Sequence, residues 1–335
     1  MSASASTAYL LISHGSRDPR PGQAMERLAN FVRSQEAGLR GTRARLKEHS
    51  DGKRPGSTRL APVQSFASPL RHGLPPDWLG ISQDDSCLEQ SGIYRARVLP
   101  PEPINGPLVG TACLEAEGLP LHRQIVDFSR RAQAAGVDRI RLVPLFLLAG
   151  VHVMSDIPAE VEQAQQALPG LPLDICPHLG SHPDIGDLLH RRLCATTAET
   201  LILLAHGSRR SGSNDSIAKL AQALGGTAAF WTVPPSLESQ VIHHMQMGVQ
   251  RVAVLPYFLF TGSTTDAITR LTEELAERFP QMGFHLLPPL GPSPELARLI
   301  VDLALGGGPL KTQPAPAAMP RVAFRHGVRS SSMVS

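Results

Sequence analysis

The sequence predicts an α/β protein made of two tandem, doubly wound parallel-sheet domains. Three observations carry that prediction. The phrase LLISHGSRDPR at residues 10–20 returns as LILLAHGSRRS at 201–211, so the chain is an internal duplication. Each copy opens on a short apolar run of the kind that makes a strand buried on both faces. Helical and strand-like patterns then alternate four times per half, and repeated β-α units call for a parallel sheet with helices on both sides.

The first strand is Ala8–Ser13, after which Ala24, Leu28, Phe31 and Val32 recur at helical spacing. From about Glu36 to Pro107 the pattern gives way to Arg, Gly, Pro and Ser without a period, which reads as a disordered insertion. Pro107–Glu115 is the next strand. Leu121, Ile125, Phe128 and Ala132 then form one helical face, closed at Gly136. Arg139–Leu148 is a strand containing Pro144, Ala149–Ser155 a loop, Asp156–Leu168 a helix, Leu173–Cys176 a strand and Pro183–Leu193 a helix.

The second half repeats this order without the insertion. Strands at Leu201–Ala205, Ala228–Trp231, Arg251–Phe258 and Phe284–Leu287 alternate with helices at Asn214–Leu224, Ser236–Met247, Thr265–Phe279 and Pro294–Leu305. The expected division is a domain at 1–198 carrying the insertion 36–107, a degenerate copy at 199–305, and a flexible Gly/Pro/Ala-rich tail at 306–335.

The formal charge of +3 is unevenly placed. Residues 40–72 hold eight Lys/Arg against Glu48 and Asp51, and residues 306–335 hold Lys311, Arg321, Arg325 and Arg329 with no acid. The remaining, folded part is therefore net acidic, which disfavours a basic nucleic-acid face. An aromatic content of 4% also disfavours base stacking. Cys87, Cys113, Cys176 and Cys194 lack metal-ligand spacing and read as reduced thiols. The start MSASASTAY lacks the pattern of a signal peptide, and no run reaches the ~18 apolar residues of a membrane span, so a cytoplasmic protein is expected.

Candidate chemistry sits at strand ends, where open parallel sheets hold their crevices. His14, Glu115 and His152 follow three strands of the first half; the matching positions of the second half are His206, Thr232 and Thr264. Two imidazoles and a carboxylate suit a divalent transition metal and move protons near neutral pH. The second half retains one ionisable member of the set. Arg17 and Arg20 follow His14, and Arg209 follows His206; they read either as bidentate partners of substrate carboxylates or as surface charges at a helix start. His182 reads as a helix cap. The phosphate-binding glycine patterns are absent, so no nucleotide cofactor is expected.

The His-Gly-Ser-Arg run, the segment PLFLLAGVHVMSDIP at 144–158 and LGSHPDI ending at Ile185 resemble the sirohydrochlorin chelatase family, of the class II chelatases. The resemblance covers roughly residues 7–35, 108–197 and 200–305. It implies insertion of Fe2+ or Co2+ into sirohydrochlorin, an acidic tetrapyrrole, without ATP, in the synthesis of sirohaem or cobalamin. It also implies that His14 and His152 hold the metal and are catalytic, with Glu115 as the accompanying acid. Arg17, Arg20 and Arg209 would meet the macrocycle's carboxylate arms. Partners beyond sirohydrochlorin and the divalent metal are not implied, and the two halves would imitate the dimer of short members within one monomer. The lack of a His-rich or Cys-x-x-Cys extension at the C-terminus points toward iron. The alternative is a carrier that binds tetrapyrrole or metal without catalysis.

Overall fold

The computed structural model describes residues 6–50, 107–115, 118–210 and 212–306. Most of the expected insertion and the tail beyond Gly306 lie outside the described residues. The elements run β1 (Thr7–Ser13), α1 (Pro19–Ser50), β2 (Val109–Cys113), α2 (Leu121–Ala134), β3 (Arg139–Pro144), α3 (Ile157–Gln166), β4 (Leu173–Ile175) and α4 (Ile185–Leu193). The second half follows with β5 (Thr200–Ala205), α5 (Asp215–Ala223), β6 (Thr227–Phe230), α6 (Leu237–Gln246), β7 (Arg251–Pro256), α7 (Ser263–Arg278), β8 (Gly283–Leu286) and α8 (Pro294–Ala304).

Two four-stranded parallel sheets result, ordered β2-β1-β3-β4 and β6-β5-β7-β8. Alternation along β1 explains the layering. Ala8, Leu10 and Ile12 pack outward under α2 and α3, while Tyr9 and Leu11 face inward. The inward face joins Met25, Leu28 and Val32 of α1, Leu188 and Leu189 of α4, Leu203 of β5, Ile217 of α5 and Ile300 of α8 in one cluster. The second sheet buries its outer face under α6 and α7. The two halves, expected as separate domains, share a core, and their described residues outside 42–104 lie in one compact unit. Of the other unit, residues 42–104, only the end of α1 is described.

Several boundaries differ from the sequence reading, three of them near the strand ends and the first helix. The first helix, expected to fade near Glu36, continues to Ser50. Glu36 is buried at 3% exposure, and one of its carboxylate oxygens accepts a 2.9 Å bond from Tyr9 Oη, so a tertiary partner holds a residue that periodicity had placed in the insertion. The strand expected to reach Leu148 stops at Pro144, because the Phe146 carbonyl accepts from Gly180 N at 2.9 Å instead of continuing the ladder. Where a loop was expected at Ala149–Ser155, His152–Asp156 forms a π-helical turn that runs into α3.

A buried acid sits in the shared core. Asp302 of α8 is 4% exposed, with one oxygen 3.9 Å from His182 Nε2 and the other unpartnered. His182 Nδ1 accepts from Asp184 N at 3.0 Å, at the entry to α4. Burial pushes the Asp302 carboxyl up and the His182 imidazole down, so both favour their neutral forms. An acid whose folded pKa is raised loses stability as the pH climbs above its unfolded value. Asp302→Asn is accordingly expected to stabilise the fold by about 1 kcal/mol at neutral pH, the order of one unsatisfied buried polar atom. The gain should vanish toward acid pH; chemical denaturation of both proteins at pH 4 and 7 checks it.

Candidate metal centre

The chain moves from β1 to β2 on one side and then crosses to β3 on the other, so β1 and β3 flank the topological switch point of the first sheet. His14 follows β1 directly, and His152 comes from the turn after β3. The third strand end is held in register by the ladder Ser13↔Cys113 and by a 2.7 Å bond from Glu115 N to the His14 carbonyl. Gly15 permits this approach. It has φ +97°, and an added Cβ would collide with the Glu115 carbonyl, 2.7 Å from its carbon.

His14, Glu115 and His152 converge. Each offers one ligand atom, and the three atoms lie within 4.8 Å of one another. Among the described residues no other group of three His, Cys, Asp or Glu does so. The two imidazole rings stand edge to face at 4.8 Å between centroids, and His14 Nε2 is 3.9 Å from Glu115 Oε2. Phe146 packs beside both rings, at 6.4 and 6.1 Å. The site is open to solvent: the His14, Glu115 and His152 side chains are 52%, 62% and 35% exposed. Val151 and Met154, which flank His152 in the chain, and Leu119 are exposed apolar side chains.

Asp156 is the residue to which sequence reasoning gave no role. The π-helical turn puts it on the same face as His152, and its carboxylate takes His152 Nδ1 at 2.7 Å. A carboxylate behind one imidazole nitrogen fixes the ring's tautomer and leaves Nε2 as the ligand atom. The signal was in the sequence as the i, i+4 spacing of His and Asp, hidden because that stretch reads as a loop.

The arginines part company. Arg17 and Arg209 are exposed at matching positions of the two halves. Arg20 is engaged by two carboxylates of the chain itself. Its Nε and NH2 reach Asp18 at 2.6–3.1 Å, and its NH1 and NH2 reach Asp266 of α7 at 3.1 and 2.6 Å. Four of its five N–H donors are thereby used. The hydrogen bonds it donates, with its charge as a lesser cause, hold both carboxyls below the usual aspartate range.

The second half reproduces the frame without the cluster. Thr232 N donates to the His206 carbonyl at 3.0 Å, the counterpart of the Glu115–His14 bond, and Thr232 Oγ1 donates to the same oxygen at 2.9 Å. A threonine at the site of Glu115 turns back on the backbone, and the position of His152 is Thr264. No helix among the described residues is long and apolar enough to cross a membrane.

The CbiX family model matches the chain twice, at residues 101–196 and 200–304, together more than half its length. A sirohydrochlorin ferrochelatase of Priestia megaterium is 29% identical over 169 residues, covering 45% of this chain and 64% of that protein. A sirohydrochlorin cobaltochelatase of the same organism is 24% identical over 190 residues, covering 52% and 62%. The chain thus spans a little under two thirds of the length of these curated relatives. Among solved structures, SirB from Bacillus subtilis with Fe3+ aligns with a TM-score of 0.56 at 17% identity, over 90% of this chain and 96% of that one. The sirohydrochlorin chelatase SirB from Bacillus subtilis subspecies spizizenii in complex with cobalt aligns at 0.54 and 17%, over 90% and 95%. These likenesses are of fold, and they agree with the doubly wound pair of sheets. The duplicated frame and the two matches of the family model lead to one assignment: the chain belongs to the CbiX family.

Proposed function

We propose that this chain is a chelatase that inserts Fe2+ or Co2+ into sirohydrochlorin, with one catalytic site per chain. The observation that carries the reading is the convergence of His14, Glu115 and His152 at the switch point of the first sheet. The family membership and the names of the curated relatives support it.

In this reading His14 and His152 present Nε2 to the incoming ion, and Glu115 supplies the negative charge that draws a dication out of water. Metal insertion releases two pyrrole protons per macrocycle. Imidazole is the side chain suited to accept them near neutral pH, and each nitrogen that releases the ion becomes free to take a proton. Asp156 keeps His152 in the tautomer that both tasks require. The macrocycle rests its apolar face near Phe146, Val151 and Met154, and Arg17 and Arg209 meet its carboxylates. Imidazole and carboxylate accept Fe2+ and Co2+ alike, so the choice between them lies in the assay.

The test is anaerobic metal insertion into sirohydrochlorin followed by absorbance, with Fe2+ and Co2+ in parallel. Acceleration over the uncatalysed rate is the expected result, and the faster metal assigns the product. Tight macrocycle binding at the spontaneous insertion rate would instead make the protein a carrier.

A further inference from the structure

The loop that carries His14 is fastened differently from its copy. In the second half, Asn214 staples the loop to its own domain: Oδ1 accepts from Ser208 N at 2.9 Å and Nδ2 donates to the Ser208 carbonyl at 2.8 Å. The residue matching Asn214 in the first half is Gly22, which has no side chain to do this. There the loop is tied across to the other half. Arg20 forks onto Asp266, in the first turn of α7. Arg20 also grips Asp18, whose Oδ1 accepts from Arg20 N at 2.9 Å, so loop and fork are one unit.

This tie exists once. Under the duplication Asp18 corresponds to Arg210, Arg20 to Gly212 and Asp266 to Met154, and those residues cannot form the same bridge. The asymmetry coincides with the chemistry: the half that bears the metal trio has the loop held from outside, and the half without it has the loop held from within.

We propose that Arg20 is a positioning residue, and that the Asp18–Arg20–Asp266 bridge lets the degenerate second half hold His14 against Glu115 and His152. The proposal rests on the reading of that trio as the metal-handling site. It gives the second half a task in the reaction although it lacks a metal cluster of its own. A bidentate guanidinium shared by two carboxylates is the kind of exposed ion pair that has directional strength, unlike isolated surface pairs.

The test uses the full chain and Co2+ alone as probe, read from its visible absorption on titration. Arg20→Ala and Asp266→Asn should each weaken Co2+ binding on the order of ten-fold, the lower range for groups acting behind metal ligands. The Arg20→Ala/Asp266→Asn double variant should be no worse than the single changes, because they remove the same link. Arg278→Ala, which breaks an exposed 2.5 Å pair with Glu238 inside the second half, should change nothing. In the insertion assay the bridge variants should lose kcat with KM for sirohydrochlorin unchanged. A raised KM with unaltered Co2+ binding would make Arg20 a substrate ligand and overturn the bridge. Should Arg20→Ala not fold, Asp266→Asn, which retains the guanidinium, carries the test. Co2+ binding without accelerated insertion removes the chelatase reading and leaves the bridge intact; no Co2+ binding by the wild-type protein removes both.

Discussion

His14→Ala and His152→Ala are each expected to lower metal insertion by about a hundred-fold or more, the scale on which a positioned proton acceptor contributes. Each change also removes one of the three ligand atoms that lie within 4.8 Å. Macrocycle binding, followed by spectral titration, should survive in both variants, since the arginines and the apolar rim are untouched. His206→Ala is the internal control. It occupies the same strand end in a frame where Glu115 and His152 are replaced by Thr232 and Thr264, and its loss should leave the rate within about two-fold. Equal loss in all three variants would mean that the second half is a working site. Retention of most of the rate in His14→Ala would remove that residue from the chemistry.

Gly15→Ala should do comparable damage without deleting any ligand. The backbone there has φ +97°, a region that costs an L-residue about 1–2 kcal/mol. Gly207 occupies the matching place in the second half at φ +85°, so the same strain applies to Gly207→Ala. The surroundings differ. A Cβ on Gly207 meets Val233 Cγ2 and Phe230 Cβ, at 2.8 and 2.9 Å, in the half that lacks the metal trio. A Cβ on Gly15 meets the Glu115 main chain, the segment bonded to the His14 carbonyl. Both variants should melt earlier, and only Gly15→Ala should lose Co2+ binding and metal insertion. Thermal unfolding beside Co2+ titration separates the two effects.

Much of this was legible in the sequence because local pattern and buried surface agree. Strands buried on both faces read as unbroken apolar runs, and Leu201–Ala205 and Val252–Pro256 are such runs. The duplicated His-Gly-Ser-Arg marked the strand tips, and in a parallel sheet all the tips lie at one edge. His14, Glu115 and His152 could therefore be grouped before their distances were known. At the end of α1 periodicity failed: the helix runs on past Glu36, whose buried carboxylate accepts from the Tyr9 hydroxyl.

What the amino-acid order determined by itself is the alternation of elements, the duplication and the set of residues at the strand tips, since each depends on neighbours in sequence. The tertiary structure alone decided that Arg20 meets Asp266, that Asp156 backs His152, and that one core serves both halves. Arg20 and Asp266 are 246 residues apart, and which charge meets which is settled by the packing of two sheets around α1, α4, α5 and α8. A guanidinium binds whatever carboxylate the fold brings within reach, and nothing local to Arg20 specifies which one that is.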